Sequence, residues 1–75
     1  MIVQIYLKVQ ELIDARGITQ KELAKKTEIR PAAVSEICNN LRTTVNKEHL
    51  EKIAEVLEVT DIKELIELRN VEHKG

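Results

Sequence analysis

The sequence predicts a small all-α domain of five helices, with a short strand possible at its amino end. Glycine and proline are scarce, at two and one residues, whereas Glu, Lys, Leu and Ile are frequent, a composition that favours helices. Apolar residues recur at helical spacing, and several segments begin with a helix-start signal. Seventy-five residues, 43% of them hydrophobic, suffice for one domain, whose core must be aliphatic because the chain has no Phe or Trp.

The first helix has a clear apolar stripe but no sharp start. The stripe comprises Ile2, Ile5, Tyr6, Val9, Leu12 and Ile13. Gly17 is placed to end the helix, since glycine readily adopts the left-handed conformation of a helix terminus. The first six residues, MIVQIY, are also β-branched enough to form a strand, so the helix is expected to start between residues 2 and 7.

The second helix, predicted for residues 20–26, has a strong start signal. Thr19 is a favourable N-cap, and Glu22 three residues later completes a capping box, in which each side chain accepts a hydrogen bond from the other residue's backbone N–H. Ile18 and Leu23 stand at the two ends of a hydrophobic staple. These signals agree on the position of the helix start.

The third helix follows a three-residue turn, TEI, and begins at Pro31. Proline suits the first helical position, because the N–H that it lacks would have had no partner within the helix. Val34, Ile37 and Leu41 form the predicted buried stripe. Cys38 lies beside this stripe and is expected to be a small core residue rather than a redox sensor.

Two further helices complete the prediction. Asn46 is the N-cap of the fourth helix, and Val45 and Leu50 form its staple. A fifth helix is expected to begin near Thr60 or Asp61. The inward-facing residues are Leu50, Ile53, Ala54 and Leu57 in the fourth helix, and Ile62, Leu65 and Ile66 in the fifth.

Two short helices joined by a three-residue turn form a helix-turn-helix. The stretch TQKELAKKTEIRPAAVSEICNN, residues 19–40, resembles the helix-turn-helix of the lambda-repressor/Cro-type (XRE-type) family, and the likeness covers about residues 5–66. It is especially like the small stand-alone regulators of Gram-positive bacteria and their mobile elements. The resemblance implies a DNA-binding domain at residues 1–69, with a recognition helix at about residues 31–40 that enters the major groove, followed by a flexible tail at residues 70–75.

The chain departs from the family pattern at three positions. Glu28 stands in the turn where the family often has glycine, and it would cost roughly 1 kcal/mol if the backbone there has a positive φ. Pro31 replaces a Gln or Ser that often bonds a base in relatives, and Cys38 replaces a glutamate near the end of the recognition helix.

The recognition helix is expected to present a small and polar outer face. A rotation of about 100° per residue turns outward the positions between those of the buried stripe, namely Ala32, Ser35, Glu36 and Asn39. Alanine lets the helix sit deep and contacts thymine methyl groups, whereas Ser35 and Glu36 can hydrogen-bond base edges. Arg30 can reach a guanine or a phosphate. The predicted DNA-binding residues are Gln20, Lys21, Arg30, Pro31, Ala32, Ala33, Ser35, Glu36, Asn39, Asn40, Arg42, Thr43 and Thr44.

The net charge of −1 hides a gradient along the chain. Residues 16–30 contain five basic side chains and two acids, whereas residues 51–68 contain six acids and two lysines. One positive end suits a protein that presents one face to a polyanion, although solvated helix faces are an equal explanation.

Enzymatic and membrane functions are not indicated. The chain has no catalytic set of His, Cys and acid expected to converge, no glycine-rich phosphate loop and too little length to enclose a pocket. A single cysteine excludes an internal disulfide and gives no zinc set. No cofactor, metal, small-molecule ligand or membrane span is therefore expected, and a cytoplasmic location is predicted.

The predicted function is transcriptional regulation, most simply repression by blocking a promoter. A homodimer is expected, because one recognition helix reads only a few base pairs. The candidate dimer surfaces are the segment Met1–Tyr6 and the last helix with Leu65, Leu68 and Val71.

Two rival functions come from other classes. A protein-interaction module, such as an antitoxin or anti-repressor, could keep the helix-turn-helix fold and bind protein instead of DNA. The net charge of −1 and Glu36 on the recognition face favour this alternative. A structural oligomerisation unit is supported only by the apolar termini.

Overall fold

The computed structural model describes residues 2–41 and 44–70. Its elements are β1 (Val3–Leu7), α1 (Val9–Ala15), α2 (Gln20–Thr27), α3 (Pro31–Cys38), α4 (Lys47–Leu57), a 3₁₀ turn (Ile62–Glu64) and β2 (Ile66–Asn70). The described residues thus form four α-helices and one two-stranded antiparallel sheet, so the prediction of a five-helix, purely α domain is wrong. The two helices of the predicted helix-turn-helix, α2 and α3, are present, and so are the flanking helices α1 and α4.

The predicted fifth helix is replaced by a short 3₁₀ turn and a strand. Asp61 caps the turn, its carboxylate accepting a hydrogen bond from the N–H of Lys63 at 3.0 Å. The chain then extends as β2 and pairs with β1, with Leu7 opposite Ile66 and Val3 opposite Asn70. This pairing gives backbone groups at both ends of the domain the partners that they require.

The amino end forms the strand that its β-branched residues allowed. β1 occupies Val3–Leu7, and α1 begins at Val9, so the predicted helix start between residues 2 and 7 is wrong. The antiparallel partner explains the difference: Ile5 lies opposite Leu68, which favours an extended backbone over a continued helix. We name the β1–β2 pair the ribbon.

The other helix boundaries follow the local signals in the sequence. Gly17 ends α1 with a φ of +67°. Thr19 and Glu22 form the predicted capping box, with the hydroxyl of Thr19 accepting from the Glu22 N–H at 3.1 Å and the carboxylate of Glu22 accepting from the Thr19 N–H at 3.0 Å. These hydrogen bonds lower the pKa of Glu22. Pro31 is the first residue of α3, and the side chain of Asn46 caps α4.

The core is aliphatic and lies between the helices and the base of the ribbon. Val34, Ile37 and Cys38 are buried in it as predicted, and burial raises the pKa of the Cys38 thiol to about 11. Leu41, however, is 71% exposed, so its assignment to the buried stripe is wrong. The helix ends at Cys38 and Asn40 has a φ of +56°, so helical spacing no longer applies at Leu41.

The turn before the recognition helix contains a strained residue. Glu28 ends α2 with a φ of 61°, in the left-handed region where glycine is usual. A side chain in this conformation costs about 1–2 kcal/mol. Glycine would avoid this strain, but part of the benefit would be lost because glycine has greater conformational freedom in the unfolded chain. Glu28 therefore lowers stability by roughly 1 kcal/mol, as the sequence indicated for a positive φ.

Candidate nucleic-acid interface

α2 and α3 are held in a fixed arrangement by a buried turn. Leu23 and Ala24 of α2 lie in the same core cluster as Val34 of α3. Thr27, only 4% exposed, donates its hydroxyl hydrogen to the carbonyl of Leu23 at 2.7 Å and accepts from the N–H of Ile29 at 3.3 Å. This hydroxyl provides hydrogen-bond partners for backbone groups at the end of α2, which stabilises the turn. Thr27 was not among the residues predicted to have a role at this site.

The outer face of α3 contains most of the predicted base-reading residues. Ala32, Glu36 and Asn39 are exposed, and Ser35 is half-buried. The amide of Asn39 donates to the carbonyl of Ser35 at 2.9 Å and to its hydroxyl at 3.3 Å, which orients both polar groups. The face therefore has a small apolar front followed by polar side chains.

Ala33 does not belong to this face. It is 6% exposed and lies in the core cluster, four residues before Ile37 and on the same side of the helix. Ala33 is therefore too buried in the free protein to contact a ligand bound at the surface of α3. Its small size serves the packing of α3.

The amino-terminal ends of α2 and α3 are accessible. Lys21, Arg30 and Pro31 are exposed, and Arg30 makes no side-chain hydrogen bond to cap α3. Gln20 is half-buried and donates its amide to the Oε1 atom of Gln10 at 2.7 Å. Gln10 thus orients Gln20 from the neighbouring helix, a role that no signal in the sequence indicated.

The polar cluster predicted after α3 divides into different environments. Asn40 is half-buried, and its side chain is hydrogen-bonded to the backbone of Leu7 in β1. Thr44 is exposed. Arg42 and Thr43 lie outside the described residues.

The basic residues of the charge gradient lie in the α1–α3 region, whereas its acidic segment begins within α4. The basic residues of the α1–α3 region are exposed; they are Arg16, Lys21, Lys25, Lys26 and Arg30. On α4, Glu48, Glu51 and Glu55 line one shallow depression together with Lys52. The α1–α3 region also contains five exposed acids that balance these five basic residues in formal charge, namely Glu11, Asp14, Glu22, Glu28 and Glu36.

Comparison with known proteins gave a matching family but no individual relative. A search of curated proteins and a search of solved structures each gave no match. Among the described residues, none of the helices is long and apolar enough to cross a membrane. The model of the Cro/C1-type HTH DNA-binding domain matches residues 8–70, which include α1 to α4 and β2. The chain belongs to the Cro/C1-type HTH DNA-binding domain family.

Proposed function

We propose that this chain is a sequence-specific transcriptional regulator, a repressor that reads the major groove with α3. The observation that carries the proposal is the outer face of α3, where exposed Ala32 precedes Ser35 and Glu36 on a helix fixed by a buried turn. A small front allows close approach to the floor of the groove. Repression needs only occupancy of a promoter, and such a regulator acts in the cytoplasm.

The groups on this face match the chemistry of base edges. The methyl group of Ala32 suits a thymine methyl, the hydroxyl of Ser35 donates or accepts, and the carboxylate of Glu36 accepts from cytosine N4. Arg30 at the start of α3 is suited to a guanine or a phosphate. Pro31 and Asn39 complete the surface that faces the groove.

The phosphate contacts come from the edges of the helix-turn-helix. Gln20 and Lys21 begin α2, where backbone N–H groups also favour an anion. Thr44, together with Arg42 and Thr43, is proposed to contact the backbone beyond the far end of α3. These contacts orient the protein on DNA but select no sequence.

We also propose that the regulator is a homodimer joined through the ribbon. Ile5 and Leu68 are directly opposite in the ladder and share a face with Val3; their exposed fractions are 58%, 69% and 55%. Ile2, at 60%, extends the same apolar end of the chain. A second copy packed against this face would remove these apolar side chains from water, which stabilises a dimer.

The opposite face of the ribbon is polar and internally paired. The guanidinium carbon of Arg69 lies 3.4 Å from the centroid of the Tyr6 ring, and its Nε donates to the carboxylate of Glu67. Glu67 is also 3.8 Å from the ammonium of Lys8, and this set of contacts lowers the pKa of Glu67. We therefore propose that a second copy packs against the apolar face and not against the polar one. Met1 and Val71, which the sequence analysis included in the candidate interface, lie outside the described residues.

Replacing Ile5 by lysine is expected to weaken dimerisation at least tenfold without unfolding the chain. Ile5 is already 58% exposed, so the free protein loses little buried surface, whereas a lysine ammonium would have to be desolvated in the interface. Ile62→Lys is the matched control, because Ile62 is 62% exposed and lies outside the ribbon. Sedimentation at micromolar concentration measures the effect. Equal dimerisation of both variants would exclude the ribbon.

A protein-interaction module is the second candidate function. The observation that favours it is exposed Glu36 on the recognition face, together with a net charge of −1, since a carboxylate there repels phosphates. Retention on heparin and on DNA resin at low and moderate salt separates the two functions. Selection of bound fragments from random duplex DNA then tests the proposal: a shared motif supports sequence-specific regulation, and the absence of enrichment contradicts it.

A further inference from the structure

The end of the recognition helix is tied to the ribbon by one side chain, Asn40. Its backbone has a φ of +56°, and the next N–H, that of Leu41, donates back to the carbonyl of Glu36 at 3.0 Å. The left-handed turn ends α3 and directs the Asn40 side chain to β1, 33 residues away in sequence. Asparagine tolerates this conformation better than most residues.

The amide of Asn40 pairs with both backbone groups of Leu7. Its Oδ1 accepts a hydrogen bond from the Leu7 N–H at 2.7 Å, and its Nδ2 donates to the Leu7 carbonyl at 3.0 Å. A side-chain amide contains the same donor and acceptor as a peptide group. Asn40 thus takes the place of one residue of a third strand beside β1.

The pattern of the ladder explains why Leu7 accepts such a partner. The N–H of Lys8 donates to the carbonyl of Leu65 at 2.8 Å, so Lys8 and Leu65 are a hydrogen-bonded pair. Because such pairs alternate in antiparallel sheets, Leu7 and Ile66 are a non-hydrogen-bonded pair, and the N–H and carbonyl of Leu7 point to the outer edge of β1. Leu7 is only 5% exposed, so its backbone groups need an internal partner.

A cleft of about 420 Å³ lies where the ribbon approaches the end of α3. Val3, Ile5 and Val45 line it together with Glu36 and Asn40. Because this cleft is open, side chains do not fill the space between the ribbon and the end of α3. The paired hydrogen bonds of Asn40 are therefore a main constraint on the angle between ribbon and helix.

We propose that Asn40 is a positioning residue, which fixes the recognition helix at a set angle to the ribbon. The inference rests on the proposed function, in which α3 reads DNA and the ribbon joins two copies. In such a dimer each reading helix is placed by its own Asn40–Leu7 contact, so this contact sets the separation of the two helices. Asn40 then determines which spacing between half-sites is preferred, without contacting a base.

The variant Asn40→Gly removes the amide and keeps a residue that tolerates a positive φ. Glu58→Gly is the control, because Glu58 also has a positive φ, of 57°, but lies at the end of α4 and outside the proposed DNA-binding surface. The probes are a single half-site duplex and full-site duplexes with half-site spacing changed by one or two base pairs, taken from the sequences selected by the parent protein. Hydrogen exchange of the Leu7 amide measures the contact itself in the free protein.

For Asn40→Gly we expect faster exchange at Leu7, half-site affinity within about threefold of the parent, and at least tenfold weaker binding to the best full site. The preference for one spacing should become flatter in this variant, whereas Glu58→Gly should keep the preference of the parent protein. An equal loss on half-site and full site would overturn the proposal, because it indicates a direct DNA contact or general unfolding. Unchanged spacing preference with fast Leu7 exchange would overturn it as well. If the parent protein binds no DNA, the proposed function fails, whereas unchanged Leu7 exchange would refute the contact alone.

Discussion

Binding to duplex DNA should weaken by about 10³–10⁵-fold when the salt concentration rises from 50 to 200 mM. This range applies if a dimer neutralises about six to ten phosphates, since each neutralised phosphate releases condensed counterions. The exposed basic residues of the helix-turn-helix region include Lys21, Lys25 and Arg30, and the amino terminus of α2 adds backbone N–H groups. Fluorescence anisotropy with a labelled duplex measures the slope.

Single charge removals refine this test. Lys21→Ala should reduce the slope by about one phosphate per copy, because the residue begins α2 on the proposed phosphate-contacting side. Lys63→Ala is the matched control, since Lys63 is exposed in the acidic carboxyl-terminal part of the chain. A flat response of the parent protein over this salt range would point to a partner other than DNA.

Ala32→Glu should reduce DNA affinity at least tenfold while changing the free energy of unfolding by only about 0.5 kcal/mol. In the free protein Ala32 is exposed in the first turn of α3, where an acid interacts favourably with the helix dipole. Repulsion from Glu36, four residues later, offsets a similar small amount. In the complex the same carboxylate would crowd the groove and face phosphates of like charge.

A neutral substitution separates charge from size at this position. Ala32→Gln adds nearly the same volume without a charge, so the difference between the two variants reports electrostatic repulsion. Thermal melting and DNA titration of parent, Glu and Gln variants give both quantities. If Ala32→Glu melts like the parent and binds DNA equally well, α3 is not the reading helix.

Signals confined to a few residues were predictable from the sequence. The capping box joins Thr19 to a residue three positions later, and Asn46 caps the helix that immediately follows it. Pro31 and Gly17 act through their own backbone conformations. These signals placed the starts of α2, α3 and α4 correctly, because they act locally and need no distant partner.

The pairing of β1 with β2 could not be predicted from such local signals. β2 depends on pairing with β1, as the register of Val3 opposite Asn70 shows, and the two strands lie at opposite ends of the chain. The spacing of Leu65, Ile66 and Leu68 fits a helix face or a strand equally well over so short a segment. The segment forms a strand and not a helix because it pairs with β1 in the folded protein.

The predicted DNA-binding residues remain a prediction, and the environments of two of them in the fold differ from what the sequence suggested. Ala33 is buried four residues before Ile37, and this helical spacing could have placed it on the core side of α3, although it was predicted to bind DNA. Asn40 gave no comparable signal, because its partner Leu7 is 33 residues away and the left-handed turn that directs its side chain was not foreseen. Gln10 likewise acts through a contact between two helices, whereas the hydrogen bonds of Thr27 are local, to Leu23 and Ile29.

The most direct test of α3 as the reading helix is a map of DNA-induced chemical-shift changes on the labelled protein. The probe is a duplex carrying the sequence selected from random DNA, compared with an unrelated duplex of equal length. The account predicts the largest specific changes at the Ala32 methyl group and at the amides of Ser35 and Glu36, with changes at Lys21 for both duplexes. Changes confined to α4 or to the ribbon, with Ala32 unaffected, would contradict it.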